Sequence, residues 1–320
     1  MVASRRLGSR IVVAAIAASV AATPFHARAE PARILTGGIA GVYYPLGAAL
    51  AKIYRDRIPA MQAEAQATKA SIENLSLLQK GAGELAFTLG DSLAQARSGN
   101  LDAGFRLKLD GLRTVAAIYP NYVQIVASKS SGIRTLADLK GRRVSVGAPR
   151  SGTELNARKI LTAAGLRYED LGRVEYQPFS ESVQLIRTNQ LDATLQSAGL
   201  GVSSIRELAS AIDIVVVEIP PSVIERLGPP YEKGIIPAGT YAGQSTDVST
   251  VRIQNFLVTR ASLSDDLVYR MTRAMFENLD ELGRAHSAAG AIRLADAPKG
   301  SPVPLHPGAA RFYKEKGLVF

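Results

Sequence analysis

The sequence predicts an α/β protein with two lobes and a ligand cleft between them. Two stretches, around residues 34–54 and 144–161, share the order of a short apolar strand, a glycine-containing loop and a helix. Each stretch continues through a further helix and turn to a second buried strand. The resulting units, residues 37–88 and 147–194, each span about fifty residues, so we interpret them as similar α/β units in tandem.

The first loop follows the apolar residues 34–35 and contains three glycines, Gly37, Gly38 and Gly41. Pro45 then suits the first turn of a helix. Glycines let backbone N–H groups approach a ligand, and the positive end of the helix dipole faces the loop, so the junction suits an anionic group. A plain tight turn is the alternative, because neither a Gly-Lys-Ser/Thr phosphate loop nor a dinucleotide Gly-x-Gly-x-x-Gly pattern is present.

Polar side chains near the predicted helix starts are further candidates for ligand contact. Tyr43 and Tyr44 follow the first loop directly. A tyrosine ring can cover a ligand while its hydroxyl bonds a polar end, although one of the pair is expected to pack under the helix start. Thr68 and Ser71 lie between a predicted strand, residues 61–67, and the next helix. Their hydroxyls either cap that helix or bind a ligand.

The second loop ends in a capping-box pattern, Ser151-x-x-Glu154, which predicts a helix start. The Ser151 hydroxyl is then used in the cap. The backbone amides of Gly152 and Thr153 and the Thr153 hydroxyl stay free for a ligand. Asp91, which follows another short strand, is predicted to cap the next helix.

The predicted cleft lies where these loops meet. In open α/β sheets the ligand site lies beyond the carboxyl ends of the strands, and both glycine loops, both polar helix starts and residues 196–199 fall at such ends. We assign residues 30–121 and 235–320 to lobe I and residues 122–234 to lobe II. The chain crosses between the lobes twice, first around a turn predicted at residues 120–121.

The N-terminus predicts a secretory signal peptide. Arg5, Arg6 and Arg10 precede an apolar run at residues 11–22, and small residues lead to cleavage after Ala29. Removal of residues 1–29 deletes four arginines and no acids, so the net charge falls from +10 to +6. No later stretch is long enough for a transmembrane helix. We therefore expect a periplasmic protein that is not embedded in a membrane.

The composition argues against several function classes. Lysines and arginines are scattered without the clusters and interleaved aromatics of a nucleic-acid site. The chain has no cysteine, and His286 and His306 are the only histidines after residue 29. Neither histidine has metal-ligand spacing or a nucleophile signature beside it. We therefore expect no metal, no cofactor, no catalytic residue and no nucleic-acid partner.

Five segments together carry a family resemblance: residues 36–47, 67–75, 85–87, 146–156 and 305–313. They resemble the TAXI-type solute receptors of tripartite ATP-independent periplasmic (TRAP) transporters, over essentially the whole chain after residue 29. The resemblance implies a two-lobed periplasmic-binding-protein architecture. It also implies a receptor that captures a small organic acid or an amino acid, such as glutamate or a dicarboxylate, and delivers it to a TRAP membrane permease.

The resemblance and the residue patterns together define a candidate ligand-binding set. Its members are Gly37, Gly38, Tyr43, Tyr44, Thr68, Lys69, Ser71, Asn74, Asp91, Arg150, Ser151, Gly152, Thr153 and Gln196. Lys69 and Arg150 stand beside predicted helix starts, where relatives are expected to carry glycine. We expect one of these two cations to engage a carboxylate ligand, since an arginine fork can hold a carboxylate through two hydrogen bonds. The alternative is that they point into solvent.

Two other functions are compatible with the same scaffold. One is a periplasmic ligand sensor that docks on a signalling kinase, and the other is a secreted enzyme. The absence of catalytic motifs favours a receptor over an enzyme, whereas the sequence does not separate transport from sensing. We expect the receptor to act as a monomer with a small organic-anion ligand and a permease as its partners.

Overall fold

The structure is a computed structural model that describes residues 30–320. The predicted signal peptide at residues 1–29 lies outside the described residues. The strands are β1 Glu30–Leu35, β2 Met61–Gln66, β3 Leu85–Leu89, β4 Leu112–Ser128, β5 Arg143–Ser145, β6 Arg173–Glu175, β7 Ala193–Ala198, β8 Ile214–Val217, β9 Glu232–Ile236 and β10 Val248–Arg260. The α-helices are α1 Tyr43–Arg57, α2 Ser71–Gln79, α3 Gly90–Ser98, α4 Gly152–Ala163, α5 Phe179–Arg187, α6 Ser203–Ala211, α7 Pro221–Leu227, α8 Asp265–Phe276, α9 Leu279–Ala285 and α10 Pro307–Glu315.

The strands form one hydrogen-bonded sheet in the order β2-β1-β3-β10-β4-β7-β5-β6, with β8 beside β4 and β9 beside β10. Strands β1, β2 and β3 are parallel, as are β5, β6 and β7. Strands β4 and β10 run antiparallel to their neighbours. The predicted α/β class and the two strand–loop–helix units are therefore present.

Two long strands connect the two parallel groups. β4 has 17 residues, and its second half pairs with β7, whereas the second half of β10 pairs with β3. The turn predicted at residues 120–121 is wrong, because β4 continues through Pro120, which pairs with Gln254. A register shift beside this pair accommodates a residue that has no N–H to donate. The assignment of residues 30–121 with 235–320 to one lobe and 122–234 to the other stays a prediction.

Apolar side chains from both faces of the sheet hold the helices in place. One buried cluster includes Tyr54 and Phe312 under α1 and α10, a second includes Ile160 under α4, and a third includes Leu75 and Leu93 under α2 and α3. Full burial of such a side chain is worth roughly 1.5–3 kcal/mol. Within residues 30–320, no helix has the length and apolarity to cross a bilayer.

Local hydrogen bonds correct several predicted helix ends. Ser151 Oγ accepts the N–H of Glu154 at 3.1 Å, as the capping pattern predicts, but the Glu154 carboxylate binds Arg158 at 2.7 Å instead of completing the box. Asp91 is not a helix cap, because α3 already begins at Gly90. The apolar repeat over residues 264–286 predicts one long amphipathic helix, but the structure has two helices there, and the Asn278 side chain between them donates to the Ala274 carbonyl at 2.7 Å.

Candidate ligand-binding site

A cavity of about 120 Å³ lies between the strand groups, lined by residues from both of them. Four helices begin in its wall, α1 at Tyr43, α2 at Ser71, α4 at Gly152 and α5 at Phe179. The first N–H groups of a helix have no acceptor inside that helix. The fold therefore places the donor ends of four helices around one small volume.

Several of these N–H groups are free. The backbone N–H groups of Ser71, Gly152, Thr153 and Phe179 have no protein acceptor anywhere in residues 30–320. All four residues line the cavity. Unpaired N–H groups at a helix start, together with the helix dipole, favour a negatively charged group.

Gly152 permits the starts of α2 and α4 to approach each other. A Cβ atom at Gly152 would lie 2.5 Å from Leu89 Cδ1 and 2.8 Å from Ser71 Oγ. Cβ atoms essentially never show such distances, so any larger residue here would displace the Leu89 or Ser71 side chain. A backbone bond from the Glu73 N–H to the Arg150 carbonyl, at 3.2 Å, joins the same two segments.

Nine of the fourteen predicted site residues line the cavity. They are Gly37, Gly38, Tyr43, Thr68, Lys69, Ser71, Ser151, Gly152 and Thr153. The other five, which are Tyr44, Asn74, Asp91, Arg150 and Gln196, do not line it. Tyr44 lies half-buried in the first turn of α1. Direct ligand contact stays a prediction for all fourteen.

Tyr43 lines the cavity but is also held by the protein. Its hydroxyl donates a hydrogen bond to Asn255 Oδ1 in β10, and its ring stacks on Phe87 with the centroids 5.1 Å apart. Burial raises the pKa of its hydroxyl above the usual range. Tyr43 is therefore neutral and presents chiefly its ring to the cavity.

Thr68 and Asn74 shape the start of α2. The Asn74 amide donates to the carbonyls of Thr36 at 2.6 Å and Phe87 at 2.9 Å, and its Oδ1 accepts the Thr68 hydroxyl at 2.6 Å. The prediction that Thr68 or Ser71 is the N-cap of α2 is wrong, because Ala70 occupies that position, with a φ of 72°. The Ser71 hydroxyl accepts the Leu89 N–H at 3.1 Å instead.

Asp91 joins distant segments instead of facing the cavity. Its carboxylate accepts hydrogen bonds from the Tyr231 hydroxyl and from Asn156 Nδ2, both at 2.7 Å. It is 1% exposed, and this burial raises the pKa of the carboxyl group. The buried acid is thus occupied by protein donors.

The two predicted cations differ in position. Lys69 is exposed and lines the cavity, and it is the only charged residue among the lining residues in the described part of the chain. Arg150 lies outside the lining and its guanidinium donates to Ser76 Oγ at 3.1 Å. Its φ of 63° puts it in the left-handed region, where glycine is preferred.

Gln196 is buried within β7 and also does not reach the cavity. Its Oε1 accepts the Ser204 hydroxyl at 2.7 Å, whereas its Nε2 has no partner among the described residues. The next residue, Ser197, lines the cavity in its place. Side chains alternate between the two faces of a strand, so a shift of one residue reverses the face.

The candidate set omits several lining residues. Tyr119 and Asn121 flank the proline of β4, Ser197 precedes the last residue of β7 in the segment 196–199 that was predicted at the cleft, and Phe179 and Ser180 begin α5. The start of α5 had a local signal, because a strand is followed by the proline at residue 178 and then by a helical pattern. This order marks a further strand–loop–helix junction. No comparable local signal exists in the interior of β4.

Two of the omitted residues carry unpaired hydroxyls. Tyr119 is fully buried and Ser197 is 6% exposed, and neither hydroxyl has a hydrogen-bond partner in the described structure. Asn121, by contrast, has partners: its Nδ2 donates to the Ser197 carbonyl at 2.8 Å and its Oδ1 accepts from Asn255 Nδ2 at 2.7 Å. Buried polar atoms in proteins are almost always paired, so two orphan hydroxyls in one wall point to a ligand or water.

The side chains supply no evident metal centre. Within residues 30–320, no three acidic, histidine or cysteine side chains gather as metal ligands would. His306 begins α10, where its Nδ1 accepts the Gly308 N–H at 3.2 Å. Burial lowers the pKa of this histidine.

Residues 34–317 match the NMT1-like family. The chain belongs to the NMT1-like family. Solved structures with the same fold include PhnD1 from Prochlorococcus marinus (MIT 9301) in complex with methylphosphonate, at 13% identity and a TM-score of 0.58, covering 90% of this chain and 96% of that one. A protein described as a periplasmic transporter has 10% identity and a TM-score of 0.58, covering 91% and 93% of the two chains.

A putative L-cystine ABC transporter from Listeria monocytogenes is a third neighbour, at 14% identity and a TM-score of 0.52, covering 82% of this NMT1-like chain and 98% of that chain. At these identities the likeness shows the fold. It confirms the predicted α/β fold of periplasmic binding proteins for this NMT1-like protein.

Proposed function

We propose that this NMT1-like protein is a periplasmic solute receptor that binds a small organic anion in the cavity and releases it to a membrane permease. The free N–H groups of Ser71, Gly152, Thr153 and Phe179 are the observation that carries the proposal. An anion gains about 0.3–1 kcal/mol at an exposed helix start and up to ~2 kcal/mol at a partly buried one. Because several helices begin around one cavity, each of them adds to the stabilisation of a bound anion.

Lys69 is the cation that we assign to the ligand. It is the charged residue of the cavity wall, whereas the Arg150 guanidinium is bonded to Ser76 outside it. A lysine at an exposed rim adds long-range attraction more than a fixed geometry, because its ammonium is a mobile point charge. We therefore assign orientation of the anion to the backbone N–H groups and attraction to Lys69.

The proposed partner is a TRAP-type permease, and the basis for it is the resemblance of the sequence motifs to TAXI receptors. An ABC-type permease is the second candidate, because a neighbour of the same fold is described as a putative ABC transporter. Both assignments place the protein in the periplasm, as a binding protein without catalytic activity. Ligand uptake by vesicles that contain one permease type, with and without the receptor, separates the two partners.

A thermal-unfolding screen of organic anions tests the receptor function. A ligand that binds only the folded state adds about 2.7 kcal/mol to the free energy of unfolding at a hundred times its dissociation constant. We expect small carboxylates to raise the unfolding temperature and to be recovered unchanged. Stabilisation by neutral sugars, with none by carboxylates at millimolar concentration, would overturn the anion assignment. Turnover of a bound carboxylate would overturn the receptor function itself.

A further inference from the structure

We propose that the ligand carries no ammonium group and is a small carboxylate with an apolar body, not an amino acid. This inference rests on the proposed function and narrows its ligand class. An ammonium group brings a positive charge and several N–H donors, and a buried charge needs a partner of opposite sign or a full set of acceptors. Within residues 30–320, the cavity wall provides four N–H groups without a protein acceptor and no carboxylate.

No acidic residue lines the cavity within residues 30–320. The carboxylates closest along the chain to the lining residues are already engaged. Asp91 accepts from Tyr231 and Asn156, Glu73 accepts the Lys69 N–H at 2.6 Å, and Glu181 accepts the Ser180 hydroxyl at 2.7 Å. An amino acid in this cavity would bring its positive charge next to helix starts, which carry partial positive charge themselves.

Three neutral acceptors of the wall are engaged in bonds within the protein. Asn121 Oδ1 accepts from Asn255 Nδ2, the Gly38 carbonyl accepts the Gly41 N–H at 3.0 Å, and the Ala148 carbonyl accepts the Ser151 N–H at 3.1 Å. These contacts stabilise the loops that form the wall. Using them for an ammonium group would require breaking or sharing them.

The orphan hydroxyls of Tyr119 and Ser197 provide an independent observation at the same cavity. Both side chains are more than nine-tenths buried, line the cavity and have no partner in the part of the chain described. Burial holds the pKa of Tyr119 well above its usual value, so its hydroxyl keeps its proton. A hydroxyl can both donate and accept, so these two groups can bond an oxygen of the ligand, while the selection against an ammonium group rests on the lack of an acidic residue in the wall.

Most of the remaining wall is apolar. It includes the side chains of Ala40, Val42, Leu89, Ala148, Phe179 and Ala198. Apolar contacts of this kind stabilise a hydrocarbon body by roughly 25 cal/mol for each Å² removed from water. The wall therefore suits a carboxylate whose remaining atoms are aliphatic or aromatic.

Three matched pairs of compounds test the inference by isothermal titration calorimetry on the mature protein: 4-methylpentanoate with L-leucine, 3-phenylpropanoate with L-phenylalanine, and glutarate with L-glutamate. The members of each pair differ only by the α-ammonium group. We expect the desamino acid to bind at least tenfold more tightly in every pair that binds. An amino acid that binds as tightly as its partner, or more tightly, would overturn the inference and leave the anion receptor intact.

The neutral amide 4-methylpentanamide separates that result from failure of the proposed function. If the amide binds and none of the six carboxylates does, the anion receptor fails and the inference fails with it.

Ser180→Asp adds a carboxylate to the wall at an exposed helix start, and Ser180→Asn is its neutral control. We expect the preference for the desamino acid to shrink in Ser180→Asp only. An equal preference in both variants would contradict the electrostatic basis of the selection.

Discussion

The Tyr231 hydroxyl donates a 2.7 Å hydrogen bond to the Asp91 carboxylate across 140 residues of sequence. Asn156 Nδ2 and the Ser92 N–H are the other close donors to the same carboxylate, each at 2.7 Å. In the proposed division of the chain, Asp91 belongs to one lobe, and Tyr231 and Asn156 belong to the other. A single buried acid thus bonds residues from both proposed lobes, and its removal has testable effects on stability.

Replacement of Tyr231 by Phe removes one of the donors to the buried carboxylate. A hydrogen bond to a charged group is worth about 1.5–3 kcal/mol, so we expect the free energy of unfolding to fall by that amount. Denaturant unfolding measures the change. Tyr176→Phe is the matched control, because Tyr176 is 42% exposed. Equal losses in the two variants would contradict a specific role for the Tyr231 bond.

The pH dependence of stability provides a second test of Asp91. Burial raises the pKa of its carboxyl above the ordinary 3.8, while bonds from Tyr231 and Ser92 oppose the rise. The folded state therefore binds this proton more tightly than the unfolded state. The contribution of the group is fully present below its unfolded pKa and is lost as the pH rises through the raised folded pKa.

Asp91→Asn lacks this titration. We expect the free energy of unfolding of the natural protein, minus that of the variant, to decrease as the pH rises above about 4. Asp138→Asn is a control of opposite sign, because backbone N–H bonds from Arg134 and Thr135 lower the pKa of Asp138. Its contribution is lost as the pH falls. A difference for Asp91 that grows with pH would show that its donors outweigh its burial.

Gly152→Ala tests the close approach of α2 and α4. The new Cβ would meet Leu89 and Ser71 below 3.0 Å, so we expect the free energy of unfolding to fall by about 1–3 kcal/mol and the affinity for 4-methylpentanoate to decrease. Gly38→Ala is the control in the other loop, since no heavy atom lies within 4 Å of a Cβ placed there. We expect it to change the free energy of unfolding by less than about 0.5 kcal/mol. Similar effects of the two variants would contradict the contact.

Removal of an unpaired hydroxyl from the cavity wall should lower ligand affinity without lowering the stability of the unbound protein. In Ser197→Ala, loss of an unpaired buried hydroxyl leaves the stability of the unbound protein unchanged or raises it, while ligand affinity falls about 2- to 10-fold. Thr194→Val is the control, because Thr194 Oγ1 is also unpaired but lies outside the cavity wall. Calorimetric titration with 4-methylpentanoate measures affinity. Unchanged affinity in Ser197→Ala would exclude this hydroxyl as a ligand contact.

Lys69→Gln and Arg150→Gln remove the same charge at the two predicted cation positions. An exposed ion pair contributes about 0.2–1 kcal/mol, so we expect Lys69→Gln to weaken anion binding by up to about fivefold and to reduce its dependence on salt. Arg150 lies outside the cavity wall, and its replacement should have a smaller effect. A larger loss in Arg150→Gln, measured at low ionic strength, would reverse the assignment of the cation.

Much of the site could be predicted because its parts are local. The glycines of the loop at residues 37–41, the capping serine Ser151 and the apolar periodicity that follows each loop lie within a few residues of the helix start they define. The structure places helix starts at Tyr43, Ser71 and Gly152, close to the predicted positions. The turn predicted at residues 120–121 is wrong for the opposite reason. Pro120 continues β4 because it lies opposite Gln254 of β10, which is 134 residues away along the chain.

The sequence by itself determined the α/β class, the order of strand, loop and helix, and the collection of helix starts near strand ends, because periodicity and capping depend on neighbouring residues. Only the tertiary structure decided which polar groups face the cavity and which form hydrogen bonds with other parts of the protein. Asp91 and Gln196 have the polar side chains expected of ligand contacts. In the folded chain, however, Asp91 accepts a hydrogen bond from Tyr231 and Gln196 accepts one from Ser204. The physical reason is that a hydrogen-bonding group has few bonds to make, and its partners are chosen by chain packing that joins residues far apart in sequence.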